Sequence, residues 1–103
     1  MYIVVLITVP TKAKAKEIAN FVILDKLAAC VNIIPAVDSF FWWEKKIDMA
    51  KELLLVIKTK KKLFPELVKA VKSRHPYSVP EIIALPIISG NKKYLEWIDE
   101  SCR

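Results

Sequence analysis

The sequence holds a single glycine, Gly90, in 103 residues. A dinucleotide fingerprint or a P-loop needs two or three glycines in one turn, because phosphate approaches bare backbone there, so both are excluded. Histidine is equally scarce, with His75 alone, and Cys30 and Cys102 are the only thiols. Two cysteines are too few for a disulfide framework or a cysteine-rich zinc site. A transition-metal site wants three or four ligands, and no ligand spacing in the chain supplies them. Long apolar runs are missing too. Ile3–Ile7 and Leu53–Ile57 fall far short of the roughly 18 residues a membrane span needs. Met1-Tyr2-Ile3-Val4-Val5 has no basic segment ahead of its apolar run, and no small-residue cleavage site follows, which argues against a secretory signal. Together with the low cysteine count, this leads to the expectation of a reduced, cytoplasmic setting and no membrane partner.

What the chain does hold is apolar and basic. Hydrophobic residues make up 54% and charged residues only 27%, where soluble domains run at about 45–50% apolar even with glycine counted. The length fits one domain spanning residues 1–103, whose folded monomer would keep roughly 5,900 Å² of surface. So much apolar residue exceeds what one small core hides, which predicts an oligomer. Seventeen Lys and Arg against eleven Asp and Glu give a net charge of +6. The densest cluster is Lys58-Thr59-Lys60-Lys61-Lys62, followed by Lys69, Lys72 and Arg74. Such a balance admits anionic partners, although a run of lysines usually forms a solvated face.

The hydrophobic pattern gives the element order. Tyr2–Val9 is a β-branched run closed by Pro10 and reads as a strand with cover on both faces. Thr11 offers an N-cap, and Ala15, Ile18, Ala19, Val22 and Leu27 recur at helical spacing, so a helix is expected from about 12 to 27. Ala28–Ile34 reads as the second strand, interrupted by Pro35 and resuming through Val37 and Ser39 into Phe40-Phe41-Trp42-Trp43. After a polar break at Glu44-Lys45-Lys46 the chain returns from Ile47 to Ile57, which makes a long hairpin. Leu63, Leu67, Ala70 and Val71 mark a second helix with Pro65 in its first turn, ending near Arg74-His75 ahead of Pro76. Glu81–Ile88 carries Pro86 and reads as an edge strand. Gly90-Asn91 then turns into a short C-terminal helix with Tyr94, Leu95, Ile98 and Cys102 on its apolar side. The order βαββαβ plus a final helix is the ferredoxin-like arrangement, an α+β fold with an antiparallel sheet and both long helices on one face.

No catalytic constellation emerges, and the chain reads as non-enzymatic. Cys30 lies inside an apolar strand, where a thiol is ordinarily a small buried hydrophobe. Alternation places Phe40 and Trp42 on one face of their strand and Phe41 and Trp43 on the other. An RNA-recognition module shares the topology, but its signature strand interleaves glycine, aromatics and basic residues. The matching strand here, Lys51-Glu52-Leu53-Leu54-Leu55-Val56-Ile57, has neither glycine nor aromatic. Nucleic acid is therefore disfavoured, and burial of the aromatic run in a subunit interface is the better reading. His75-Pro76-Tyr77-Ser78-Val79-Pro80-Glu81 is stiffened by two prolines and brings imidazole, phenol and carboxylate together. Lys58 could join His75, Tyr77 and Glu81 in a cleft between subunits that takes a metal or a small anion; the alternative is a rigid structural corner.

Several blocks, in order and over nearly the whole chain, resemble one family. They are Leu27-Ala28-Ala29-Cys30-Val31-Asn32-Ile33, Ser39 through Trp43, Lys58-Thr59, His75-Pro76-Tyr77, Val79-Pro80-Glu81-Ile82, and Gly90-Asn91 with Tyr94-Leu95 and Trp97. These resemble the CutA family of divalent-cation tolerance proteins. The resemblance implies a homotrimer of ferredoxin-like subunits, similar in architecture to PII signalling proteins, with Phe40, Phe41, Trp42, Trp43 and Trp97 at subunit contacts. It implies a role in tolerance of copper and other divalent metals, with His75 and Cys30 as the candidate ligands and no further cofactor. A PII-like trimer holding a small anion in the intersubunit cleft is the alternative, and an RNA-binding module comes third. In some bacterial members copper is assigned to a first-strand cysteine and a pair of histidines before Pro-Tyr. The aligned positions here hold Ile7 and Arg74, and only His75 matches. Lys45 stands where the family usually has a hairpin-tip glycine, and Ser78 where an acidic residue is common.

Overall fold

The first strand is purely aliphatic apart from its ends, yet its neighbours along the chain meet very different surroundings. The computed structural model describes all residues, Met1–Arg103. In β1 (Tyr2–Val9) burial alternates strictly: Ile3, Val5, Ile7 and Val9 are buried, while Tyr2, Val4, Leu6 and Thr8 are half-buried. The strand belongs to a four-stranded antiparallel sheet of order β2-β3-β1-β4, built with β2 (Cys30–Trp43), β3 (Lys46–Lys60) and β4 (Ile82–Pro86). This is the expected ferredoxin-like α+β topology. α1 (Lys12–Leu24) and α2 (Phe64–Lys72) lie on one face, and a short α3 (Lys92–Ser101) closes the chain.

The core sits between the helices and that one face. Ile3, Val5, Ile7 and Val9 of β1 meet Leu55 and Ile57 of β3, Ala15, Ile18 and Val22 of α1, and Leu67 and Val71 of α2. A second cluster at the end of the sheet joins Leu63, Ile98 and Cys102. Cys102, unremarkable in sequence, is structural: its thiol donates to the Ile98 carbonyl at 3.1 Å beside buried Thr59. Only 19 of 103 residues are buried, few for so apolar a chain, because the other sheet face is left open. Cross-strand register assigns Val4 and Leu6 of β1, Leu54 and Val56 of β3, Ile34 of β2, and Ile83 and Leu85 of β4 to it. Cover on both faces of the first strand, expected from its unbroken apolar run, is therefore supplied within the chain on one side only.

Several boundaries differ from the sequence reading for local reasons. α1 stops at Leu24 instead of 27, because Lys26 turns left-handed (φ 56°) and the Leu27 amide bonds back to the Val22 carbonyl. Leu27 thus enters the core from a turn and not from the helix. β2 starts at Cys30 and not at Ala28, and it runs through Pro35 by a bulge between Ile34 and Val37, with Ala36 at φ 60°. α2 ends at Lys72, and β4 is confined to Ile82–Pro86 where Glu81–Ile88 was expected. The hairpin tip is two residues, tighter than the three-residue polar break: Trp43 pairs with Lys46, and Glu44 and Lys45 both take positive φ (49° and 64°). Positive φ at both central residues is the backbone signature of a type I′ turn, made here without glycine.

The hairpin sets the overall shape. The chain measures 44 × 25 × 23 Å with a radius of gyration of 14.1 Å, against about 13 Å for a compact chain of this length. Its accessible surface is 6836 Å², well above the roughly 5,900 Å² that its mass calls for. At the far end Phe40 pairs with Met49 and Trp42 with Ile47. Phe40 and Trp42 remain 67% and 72% exposed.

Candidate functional site

The open sheet face is aliphatic in the middle and polar at both ends, and the two ends differ in chemistry. At one end the β2–β3 register sets Cys30 opposite Lys58. The Lys58 ammonium hydrogen-bonds the Asn32 side-chain oxygen, and the Cys30 thiol points at that same oxygen from 3.8 Å. Tyr94 of α3 stands beside the thiol; burial first, then the neighbouring Cys30, pushes its phenol pKa up. Tyr94 also stacks on Trp97, with ring centroids 5.4 Å apart. Asn91 positions both aromatics by capping α3, its side-chain oxygen accepting from the Lys93 and Tyr94 amides.

At the other end the stiff segment after α2 folds onto the sheet. The β1–β4 ladder ends at the pair Ile7 and Ile82, and one residue further along the Thr8 carbonyl receives His75 Nε2 at 2.7 Å. His75 Nδ1 accepts the Tyr77 amide at 3.1 Å. A ring that accepts at Nδ1 must donate from Nε2, so both nitrogens of the buried imidazole are engaged within the chain. Tyr77 in turn donates its hydroxyl to Glu52 at 2.7 Å. Burial, then the hydrogen bond to Glu52, then its negative charge push the Tyr77 phenol up to about 12. Glu52 is only 7% exposed. Beyond it lies a cleft of about 710 Å³ between the hairpin and the Tyr77–Glu81 segment, walled by Phe40, Phe41, Trp43 and Met49. Asp48, Glu52 and Glu81 border it, and no lysine or arginine does.

The residues singled out in the sequence are thus distributed over two places. Tyr77 and Glu81 border one cleft, and His75 packs behind Tyr77 with both ring nitrogens engaged within the chain. Lys58 and Cys30 do not join them within one chain, because Lys58 pairs with Val4 and His75 is bound at Thr8, about 13 Å further along β1. No group of three or more His, Cys, Asp or Glu side chains is arranged to hold a metal ion in the single chain. Ile7 is fully buried on the helix-covered face, and the Arg74 guanidinium sits 3.4 Å over the Phe21 ring. Neither position offers a ligand to copper. The aromatic run and Trp97 are all at the surface. On the sheet face that an RNA-recognition module would use, the central positions of β1 and β3 are Val4, Leu6, Leu54 and Val56, which give bases nothing aromatic to stack on.

Glu52, Asn32 and Tyr94 do not stand out as site residues in the sequence. Glu52 does carry a signal, since it shares a strand face with Leu54, Val56 and Lys58 at a period of two. Its partner Tyr77 is 25 residues away, so only the tertiary fold reveals the pair.

The profile of the family described as "CutA1 divalent ion tolerance protein" matches residues 3–101. The chain is 52% identical over 101 residues to "Protein CutA 1, chloroplastic" of Oryza sativa subsp. japonica, spanning 98% of itself and 57% of that longer protein. It is 49% identical over 98 residues to "Divalent-cation tolerance protein CutA" of Thermus thermophilus, at 95% of both chains. The solved structure of a divalent cation tolerance protein (Cut A1) from Thermus thermophilus superposes with a TM-score of 0.98 at 48% identity, covering 100% of both chains. No helix is long and apolar enough to cross a membrane. With a family profile matching nearly its whole length, the chain belongs to the CutA1 divalent ion tolerance protein family.

Proposed function

We propose that the chain assembles as a homotrimer and acts, without catalysing a reaction, in the response to divalent metal ions, copper among them. The observation that carries this reading is the unburied apolar surface: the open sheet face together with the exposed hairpin aromatics Phe40 to Trp43. Patches of that size on a small chain mark a contact surface. The sheet also has two free edges, β2 and β4. Pairing the β2 edge of one copy with the β4 edge of the next is a heterologous contact, and such contacts are self-limiting when they close into a ring. Ring closure would remove the edges that otherwise invite aggregation. In this assembly Trp97 and the hairpin aromatics lie at subunit contacts. A reduced, cytoplasmic setting belongs to this reading and rests on the low cysteine count of the sequence.

Metal is bound weakly in this reading. His75 has both ring nitrogens engaged, and Cys30 lies at the opposite end of the sheet face. A site using either must take further ligands from neighbouring copies. Calorimetric titration of copper(II) chloride into the native protein and into His75→Ala and Cys30→Ser is the test. Binding weakened by either substitution is expected. Absence of binding at micromolar metal removes the metal role and leaves the trimer standing. A second reading, a small anion held at the trimer's intersubunit cleft, is favoured by Lys58, whose ammonium has no carboxylate partner in the chain.

A further inference from the structure

The polar end of the open face at Lys58 holds more hydrogen-bond donors than acceptors, with the Asn32 side-chain oxygen shared by two of them. A lysine ammonium only donates, so its bond to Asn32 runs to the side-chain oxygen, and that fixes the orientation of the amide. The Cys30 thiol adds to the same oxygen. Asn32 therefore has its acceptor occupied, while its amide nitrogen has no partner within the chain. Lys58 retains two N–H groups and takes part in none of the four ion pairs. The nearest carboxylate on the same face of β3 is Glu52, six residues away and bonded to Tyr77. That is about 20 Å along the strand. The Tyr94 phenol stands beside Cys30 and brings a further hydroxyl, with Trp97 stacked behind it.

We propose that Lys58, Asn32 and Tyr94 form a subsite for a small oxyanion, a carboxylate or phosphate group, at the Cys30 end of the open sheet face. Lys58 of β3 and Cys30 of β2 meet at the Asn32 oxygen, Tyr94 of α3 adjoins Cys30, and the lysine gives the group a positive charge. An anionic oxygen bonded by an ammonium and an amide together gains charge-assisted hydrogen bonds, about twice as strong as neutral ones. The apolar middle of the face supplies the second reason. If a neighbouring copy covers Val4 and Val56, the adjoining Lys58 is desolvated as well, and a buried ammonium needs a counter-charge. The bound anion supplies it. This deepens the small-anion reading above and rests on it only for the closure of the site by a neighbour. All three donors belong to one chain. His75, Tyr77 and Glu81 are not part of the subsite; Tyr77 and Glu81 border the carboxylate-lined cleft at the far end, and His75 is held behind Tyr77.

The test is calorimetric titration of the full chain at low ionic strength with inorganic phosphate and, separately, with citrate. Alkylation of Cys30 by neutral iodoacetamide is the second readout, since Cys102 is buried. Saturable binding of at least one titrant is expected, with slower alkylation in its presence. Lys58→Met should weaken binding about tenfold or more by removing the charge. Asn32→Asp, nearly isosteric, should abolish it by giving Lys58 an internal counter-ion, and it keeps the test open if Lys58→Met fails to fold. Absence of saturable binding by either titrant overturns the subsite, as does binding that is unchanged in both variants. Light scattering on the same samples separates the two claims. A single-chain mass with anion bound sinks the trimer and spares the subsite. A native trimer that ignores both anions and falls apart in Lys58→Met assigns Lys58 to a partner's carboxylate and overturns the subsite.

Discussion

Leu6 and Ile7 are adjacent and chemically alike, and they meet opposite fates. Ile7 is fully buried beneath the helices, whereas Leu6 lies on the open face between Val56 and Ile83. The same contrast holds over the whole sheet, whose two faces are almost equally aliphatic although α1 and α2 cover just one. What separates the faces is therefore not composition. The covered face is a finished core, and the open one has no cover within the chain, with a donor cluster at one end and a carboxylate cleft at the other.

The largest expected effects come from splitting that adjacent pair. Ile7→Ala should cost about 2–5 kcal/mol of folding stability through lost transfer energy and a cavity. Denaturant unfolding reads that loss, while the assembled mass is unchanged. Leu6→Lys should do the reverse. A charge on the open face should leave a folded chain with native circular dichroism whose mass falls toward that of one copy. If Leu6→Lys kept the assembled mass, the open face would not be the contact surface.

The next effect contrasts the two polar ends. Tyr77→Phe strands the Glu52 carboxylate, which is only 7% exposed, and should cost about 1–3 kcal/mol. Lys58→Met at the half-exposed end should change folding stability by about 0.5 kcal/mol or less. Equal costs would contradict the distinction. The same tyrosine gives a pH signature. Its folded pKa is raised from 10.0 to about 12, so the folded state holds the phenolic proton more tightly than the unfolded chain does. That contribution is fully present below about pH 10 and is lost as pH rises toward 12. Thermal unfolding across this window should fall more steeply for the native protein than for Tyr77→Phe.

The smallest effect belongs to the hairpin tip. Lys45 holds φ 64°, a conformation costing an L-residue about 1–2 kcal/mol that glycine adopts freely. Lys45→Gly should therefore raise the melting temperature, by a gain of about 1 kcal/mol once the entropy of the extra glycine is deducted. An unchanged or lowered value would mean that the lysine side chain compensates for the strain.

Much of this was legible in the sequence, and the limits have physical causes. Apolar runs located the strands and period-3.6 spacing the helices, and Pro65 and Asn91 marked the starts of α2 and α3, while α1, α2, β2 and β4 are each shorter than their patterns suggested. The strand-face assignment of Phe40 with Trp42 and Phe41 with Trp43 follows from alternation alone, and the cross-strand register agrees. Burial of β1 was harder to read, because an aliphatic run looks the same whether one or both faces are covered within the chain. The end of α1 was obscured because Lys26 takes the role usually given to glycine. The proximity of His75 to Tyr77 was visible because the prolines keep that segment local. The separation of Lys58 from that group was not, since it depends on a register established by the whole sheet. Glu52 was hidden for the same reason.

The open face and the hairpin aromatics are proposed above as contact surfaces between copies of this chain. Light scattering of the native protein on a sizing column tests that proposal most directly. A mass about three times the 11.8 kDa of one chain is expected, independent of metal. A monodisperse species at the mass of a single chain would contradict it.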